Sequence, residues 1–507
     1  MNIQLPDVNI WALAPFLIVV ITGAVVLFWD LAFRPKSNNA LILVSLLGLA
    51  VAIIACSYIW SHELWTSSFN NSIMNDQIGI VFNIILLGVT ILAVLFSEPY
   101  LEAKGINFSE FYPMVLFTTA GAMLMISSLD LIVVFLGLET LSLSLYVLTG
   151  LSRTEERSGE AAIKYFLLGS FASCFFLYGI ALVYGATGST RLDIAFGILN
   201  SATPDQMTLL IAGLALLLVG FGFKGAFVPF HMWTPDVYQG APTSITGYMA
   251  AAVKVAVFAS LLRVVLAMPS LIHIWQPILF VIALLTMTGG NIVAIMQKDA
   301  KRMLAYSSIA QAGYILIGII AHNPLGISAT IYYTMAYSLM TIGAFAVVSL
   351  MTRQGKESTA ISDMTGLWKT HPLAAVLMVL FMASLAGIPP TAGFFGKFNL
   401  FQAAIQASQT NPGPIGGVGQ ITLAFALAVN SAISLFFYVG LIVPMYVRDP
   451  EPGLPVPSRM RPGMLITVLA CAIGVLYTGL AYSQVNHYFT KAANSASQSM
   501  TQIMRGK

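Results

Sequence analysis

At 507 residues, 58% hydrophobic and only 8% charged, with a mean hydropathy of +0.85, the chain lies far from the soluble profile of about a quarter charged residues. That balance excludes a water-soluble globular enzyme, and a formal charge of +3 spread thinly over the chain excludes a nucleic-acid-binding patch. The three cysteines, Cys56, Cys174 and Cys471, stand far apart inside apolar runs and offer no CxxC, haem or cluster spacing.

Apolar runs long enough to cross about 30 Å of hydrocarbon recur along the whole chain, which predicts an all-α polytopic membrane protein. The pattern predicts about fourteen transmembrane helices: 11–33, 40–60, 77–97, 112–128, 130–150, 161–187, 206–231, 241–267, 273–295, 302–321, 326–352, 372–408, 418–447 and 463–485. The first run follows Met1 to Asn9, which has no basic leader, and no small-residue cleavage site ends it, so it reads as a retained helix. With the N-terminus outside, the inner loops hold fourteen Lys and Arg: Arg34, Lys36, Lys104, Arg153, Arg157, Lys298, Lys301, Arg302, Arg353, Lys356, Lys369, Arg448, Arg459 and Arg461. The outer side holds four, Arg191, Lys491, Arg505 and Lys507, and this bias places both termini in the periplasm of a bacterial inner membrane.

Ionisable residues inside spans mark ion or proton pathways by default, because an isolated charge at that depth costs roughly 3 kcal/mol on insertion scales. In the fifth span, Glu139 in Phe135-Leu-Gly-Leu-Glu139 has no ionisable neighbour in the eight residues before it. A carboxylate there is either neutral and hydrogen-bonded to a neighbouring helix or held ionised by a cation, for which Lys224 is the natural candidate. Lys164, near the inner end of the sixth span, can snorkel or modulate that pair. Lys224 ends the apolar run Leu209 to Gly222 and is followed within five residues by Pro229, so a charge and a helix break share the seventh span. Lys254 lies mid-span among small apolar residues, too deep to reach either surface easily, whereas Arg263 near an outer helix end reads as an interface anchor. The twelfth span carries Leu385-Ala-Gly-Ile-Pro389-Pro390-Thr-Ala-Gly393 and then Lys397.

Two interrupted spans five apart, each with one lysine, point to inverted repeats that meet near mid-membrane. The implied division is 1–111 for helices one to three, 112–267 for the first repeat, 273–447 for the second, and 448–507 for helix fourteen and the tail. Glu139, Lys224, Lys254 and Lys397 would then form a polar axis, joined through water and hydroxyls such as Tyr306, Ser307, Ser308 and Tyr314, with the broken helices ordering that water. The run Gly220-Phe-Gly-Phe-Lys-Gly225 fits GxGxxG but follows a membrane span, not a strand, so it does not mark a dinucleotide site. The six histidines fall mainly at span ends, which argues against a metal site.

The stretch His231-Met-Trp233-Thr-Pro235-Asp236-Val-Tyr238-Gln-Gly240-Ala-Pro242-Thr243 resembles the antiporter-like membrane subunits of complex I, and most resembles the subunit N line of proton-translocating NADH-quinone oxidoreductase, similar to mitochondrial subunit two. The resemblance continues through Asp299-Ala-Lys301-Arg302-Met-Leu-Ala-Tyr306-Ser-Ser308 and Ser384-Leu-Ala-Gly387-Ile-Pro389 and covers roughly residues 75–450. It implies that Glu139 and Lys224 are an ion pair, Lys254 the central relay, Lys397 the lysine leading outward, and Lys164 a modulator near the pair. It implies proton translocation coupled to quinone reduction in other subunits. This chain would carry no cofactor of its own, and NADH, FMN, iron–sulfur clusters and quinone would be bound by its partners. Those partners would be membrane subunits, especially antiporter-like subunit M and small subunit K, together with lipid and without nucleic acid. A cation/proton antiporter subunit of a multisubunit sodium/proton antiporter is the competing reading, against which the Tyr238-Gln-Gly240 centre argues. Gln311 stands where some relatives carry histidine; a glutamine does not titrate but can order water there.

Overall fold

The computed structural model describes residues 7–33, 37–197, 202–353, 355–447 and 460–504; of the basic residues in the charge count, Arg34, Lys36, Arg448, Arg459, Arg505 and Lys507 lie outside them. Three helices open the chain: α1 (Ile10–Phe33), α2 (Asn39–Ser61) and, after the short antiparallel pair β1 (Thr66–Ser68) and β2 (Ile73–Asn75), α3 (Gln77–Lys104). Next come α4 (Phe111–Ser127), α5 (Leu131–Thr149), α6 (Glu156–Thr187), the short α7 (Leu192–Gly197), α8 (Pro204–Gly225), α9 (Trp233–Gly240) and α10 (Thr243–Leu266). The second half holds α11 (Ile272–Ile295), α12 (Ala300–Ala321), α13 (Pro324–Ser349), the hairpin β3 (Thr352–Arg353) and β4 (Lys356–Glu357), α14 (Leu367–Thr370), α15 (Pro372–Ala386), α16 (Ala392–Thr410), α17 (Gly416–Val447), α18 (Pro462–Leu480) and α19 (Tyr482–Met504).

Among the described residues twelve helices are long and apolar enough to cross a membrane, and α4 and α15 are shorter apolar helices. Helix starts follow their capping side chains: Asp76, Asp130, Asp299 and Asn323 each accept a backbone N–H of the first turn, and Thr203 with Gln206 forms a capping box on α8.

Position in the bundle follows from side-chain size and all-round apolarity. Every residue of α10 is buried, and α12 and α13 are nearly as enclosed, whereas α1, α2, α6, α11 and α17 keep exposed apolar flanks. Ala250, Ala251, Ala252 and Gly247 let α10 pack closely against α3, α4, α12 and α13, as small residues do where lipid gives no hydrophobic drive between helices. Helices α11 and α12 touch backbone to backbone: a Cβ at Gly313 would stand 2.6 Å from the Met287 nitrogen, so no larger residue fits that crossing.

Three expectations need correction. The seventh span stops at Gly225, six residues earlier than its apolar run suggests, because Ala226 turns into the left-handed region at φ 59° and Pro229 follows. The segment after helix fourteen is no loose tail: α19 is amphipathic, buries Phe489, Ala492 and Ala493, and is tied by Lys491 to Glu63 at 3.0 Å. Arg263 is not an interface anchor. Its guanidinium is buried, forks onto Asp76 and donates to the Ile126 carbonyl at 2.6 Å, joining α10 to the start of α3 and the end of α4.

Candidate proton axis

The first break is built around aromatic rings. The Trp233 indole N–H donates to the Phe223 carbonyl at 2.9 Å, satisfying one of the oxygens that the end of α8 leaves unpaired, and its ring stacks on Tyr165 with centroids 4.6 Å apart. Lys224, 3% exposed, donates to the Tyr165 hydroxyl at 3.1 Å and lies over the Tyr165 and Tyr146 rings, 4.7 and 5.4 Å from their centroids. Its ammonium is thus held by one hydroxyl and two π-faces.

Glu139 is not part of that cage. It is half-buried, accepts a hydrogen bond from Ser173, and makes no ion pair with Lys224. The expected Glu139–Lys224 pair is therefore corrected from a direct salt bridge to two charges that interact without touching, because Glu139 is bonded to Ser173 of α6 while Lys224 is turned into the aromatic pocket. Tyr146 lies two turns along α5 from Glu139 and presents its ring to Lys224, and its buried hydroxyl has no hydrogen-bond partner in the protein. Glu139 shares its helix face with exposed Ile132, Leu136, Leu143 and Val147. Lys164 snorkels, and two carboxylates hold it: its ammonium meets Glu160 at 2.7 Å and Asp236 at 2.9 Å. Asp236 in turn accepts from Arg302 at 2.7 Å, so the first break is tied to the start of α12.

Lys254, 1% exposed, donates to the Gly225 carbonyl at 3.3 Å and the Ser308 carbonyl at 2.7 Å and lies 5.8 Å from the Tyr337 ring centre. Lys397, 5% exposed, donates to Leu385 and Ala386 carbonyls at 2.8 and 3.0 Å and lies 4.9 Å from the Tyr314 ring centre. Both breaks therefore do the same thing. Each ends a helix early and offers its free, negatively polarised carbonyls to an ammonium group. The sequence suggested that the breaks order water; the structure shows them binding the lysines directly.

Between Lys254 and Lys397 runs a buried chain of hydrogen bonds. The Tyr337 hydroxyl donates to the Ser308 hydroxyl at 2.8 Å, and Ser307 shares a hydrogen bond with the Tyr438 hydroxyl at 2.5 Å. Gln311 donates to Tyr438 at 3.0 Å and to the Leu385 carbonyl at 3.2 Å, and its own oxygen accepts from Tyr333. That Leu385 carbonyl is the one Lys397 holds. Tyr314 is fixed by Asn291 at 2.7 Å. The structure thus links Lys397 through the Leu385 carbonyl, Gln311 and Tyr438 to Ser307, next in sequence to the Ser308 whose carbonyl holds Lys254. It sets Lys224 one residue before the Gly225 carbonyl that Lys254 also uses, leaves Glu139 outside these contacts, and puts Lys164 in a separate ion-pair cluster.

A model of the NADH:quinone oxidoreductase/Mrp antiporter transmembrane family matches residues 128–422, which include both breaks and all the lysines of the path. Over 486 residues the chain is 42% identical to NADH-quinone oxidoreductase subunit N of Trichlorobacter lovleyi, covering 96% of this chain and 97% of the relative. The chain belongs to the subunit N family of NADH-quinone oxidoreductase. The subunit N protein of Chloroflexus aggregans is 40% identical, with 94% of this chain and 96% of that protein covered. Among solved structures, a chain of respiratory complex I from Thermus thermophilus with bound aureothin matches with TM-score 0.76 and 33% identity over 93% of this chain and 98% of that one. A chain of the Mrp complex from Dietzia matches with TM-score 0.84 over 97% of this chain and 99% of that one, but at 22% identity this likeness shows the fold alone. Within the subunit N family the buried positions that sequence reading overlooked are Tyr337, Tyr438, Tyr333 and Asn291, since a tyrosine or asparagine in an apolar helix is as common in ordinary packing as on a polar path. Lys301 and Glu357 were overlooked too, because both read as loop or helix-end residues until the chain folds over them.

Proposed function

We propose that this chain carries protons through the membrane arm of a proton-translocating NADH-quinone oxidoreductase, along a path whose titrating stations are Lys224, Lys254 and Lys397. The chain acts as part of an enzyme, and the redox chemistry, with NADH, FMN, iron–sulfur clusters and quinone, is assigned to other subunits. The observation that carries the reading is that three buried lysines have no buried carboxylate against them. Their ammonium groups rest on helix-end carbonyls, hydroxyls and aromatic faces, which stabilise a charge without binding it as tightly as an ion pair does. Such a group can gain and lose a proton as its surroundings shift, which a salt-bridged lysine does far less readily.

Glu139, separate from Lys224, is assigned the charge that modulates it across the Tyr146 ring, with Lys164 as a second modulator. A carboxylate on a face otherwise made of Ile132, Leu136, Leu143 and Val147 is costly against lipid. That face is therefore assigned to a neighbouring membrane subunit, with the antiporter-like subunit M and the small subunit K as candidates. Residues 112–267 and 273–447 are assigned as the two repeats, each contributing one break and one lysine bound by its carbonyls. The charge bias of the loops supports a bacterial inner-membrane location with both termini periplasmic.

The test is Lys254→Ala in the native complex within inverted membrane vesicles. Proton pumping per quinone reduced is expected to fall several-fold while the complex still assembles. An unchanged ratio in an assembled Lys254→Ala complex would remove the axis.

A further inference from the structure

At the inner-loop end of the bundle a buried charge cluster lies outside the path described above. Glu357, on the β3–β4 hairpin that links α13 to the second break, reaches across to the first repeat. Its carboxylate accepts from Tyr100 and from Lys104, each at 2.9 Å, from Thr243, and from Lys301 at 3.4 Å. Lys301 donates to the Ala241 carbonyl at 2.6 Å, and the Tyr100 hydroxyl accepts the Thr243 backbone N–H at 2.8 Å. The turn that joins α9 to α10 is thus gripped from three sides. Burial by itself would raise the Glu357 carboxyl, but the charges of Lys301 and Lys104 and the hydrogen bonds of Thr243 and Lys104 outweigh it and hold it at about 2.

This cluster is the floor of an open cavity of about 330 Å³, whose walls include Glu155, Arg157 and Gln239. A second cavity of about 210 Å³ shares Arg157 and Gln239 and contains the Lys164–Asp236 pair. Lys301 therefore stands between water and the protein interior. Seven residues further along α12, two turns on the same face, is Ser308, whose carbonyl holds Lys254. Thr246 stands at the start of the interval: its hydroxyl donates to the Tyr238 carbonyl at 3.0 Å and reaches the same Ala241 carbonyl at 3.4 Å.

We propose that Lys301 is the uptake residue of the path, taking protons from the inner cavity and passing them to Lys254, and that Glu357 is the positioning residue that keeps it in place and charged. The proposal rests on the axis reading above. In the step, an N–H bond at Lys301 breaks, an N–H bond at Lys254 forms through the hydroxyl-lined interval, and Lys301 regains a proton from cavity water; no electrons move. The charged and titratable groups facing Lys301 are Glu357 from the hairpin, Lys104 and Tyr100 from α3, and Asp299, two residues before it at the helix cap. Because Glu357 belongs to the second repeat and Ala241 and Thr243 to the first, the pair also ties the uptake site to both halves.

Two variants test this in inverted vesicles, with Lys254→Ala alongside. Lys301→Arg keeps the charge and the Glu357 contact but does not release its proton. It is expected to assemble and to lose pumping to the extent that Lys254→Ala does. The double variant K301Q/E357Q restores charge balance without a titrating group, leaving Lys104 on Glu155 at 3.0 Å. It is expected to assemble and still to pump poorly. Normal pumping by an assembled Lys301→Arg or by the double variant would overturn the assignment. So would failure of both to assemble, which would mark the pair as a structural clamp. If Lys254→Ala itself pumps normally, the axis fails, a result distinguishable from failure of Lys301 alone. A single Glu357→Gln change is expected to move the alkaline limb of the pumping profile toward lower pH by about one unit, a shift that a clamp alone does not produce.

Discussion

Gln311→Leu tests whether the segment between Lys254 and Lys397 works as a connected chain. Leucine has nearly the volume of glutamine, so the change leaves little cavity and isolates the loss of hydrogen bonds. Three are removed: those to Tyr438 at 3.0 Å and to the Leu385 carbonyl at 3.2 Å, and that from Tyr333. Tyr438 keeps Ser307, and Leu385 keeps Lys397, so each retains one partner. Tyr333, fully buried, loses its only hydrogen-bond partner. Two replaceable bonds and one orphaned hydroxyl amount to about 2–3 kcal/mol of lost stability. A helical bundle this large tolerates that, so assembled complex should remain detectable on native gels. Proton pumping per quinone reduced in vesicles is nevertheless expected to fall several-fold, since no polar side chain then joins Tyr438 to the second break. Gln311→His, which restores a donor and an acceptor of similar reach, is expected to pump near the parent level. An assembled Gln311→Leu complex that pumps normally would refute the connected chain and leave water alone as the carrier.

Two further outcomes follow from packing and charge. A Cβ at Gly393 would overlap the Ser384 carbonyl, which no side-chain rotation relieves, so Gly393→Ala is expected to destabilise the second break by about 3 kcal/mol. A normal yield of assembled complex would contradict that geometry. Glu357, held at about 2 against an ordinary value near 4.5, has a depressed folded-state pKa. Its stabilisation is therefore fully present above about pH 5, is lost as pH falls toward 2, and is on the order of 3 kcal/mol at neutrality. The melting-temperature gap between the parent and Glu357→Gln should accordingly narrow between about pH 5 and pH 2; a constant gap would show that the carboxylate charge contributes nothing.

Much of the architecture was legible because lipid imposes simple rules. Length and apolarity located the helices, and Pro229, Pro389 and Pro390 marked both breaks, since proline cannot extend a helical ladder. The lysines stood out because a charge at mid-span has few innocent explanations. Other features were not legible. Arg263 looked like a helix-end anchor because nothing near it in sequence announces Asp76, 187 residues away. Glu139 and Lys224 were paired on charge and on the family resemblance, neither of which says which face of α5 or α8 points where in this chain. Glu357 sits in a short polar loop, and only folding brings Lys104, Thr243 and Lys301 around it.

What the sequence determined by itself is the solvent this chain lives in, the rough placement of most of its spanning helices, the two interruptions and the three mid-span lysines Lys224, Lys254 and Lys397, all of which are local properties of composition and backbone. The tertiary structure alone decided who meets whom: that the free ends of α8 and α15 bind Lys254 and Lys397, that Gln311 spans the gap between them, and that a hairpin of the second half closes over the first. Those contacts join residues tens to hundreds of positions apart, and their geometry depends on helix rotation and crossing, which one face of small residues permits but does not specify.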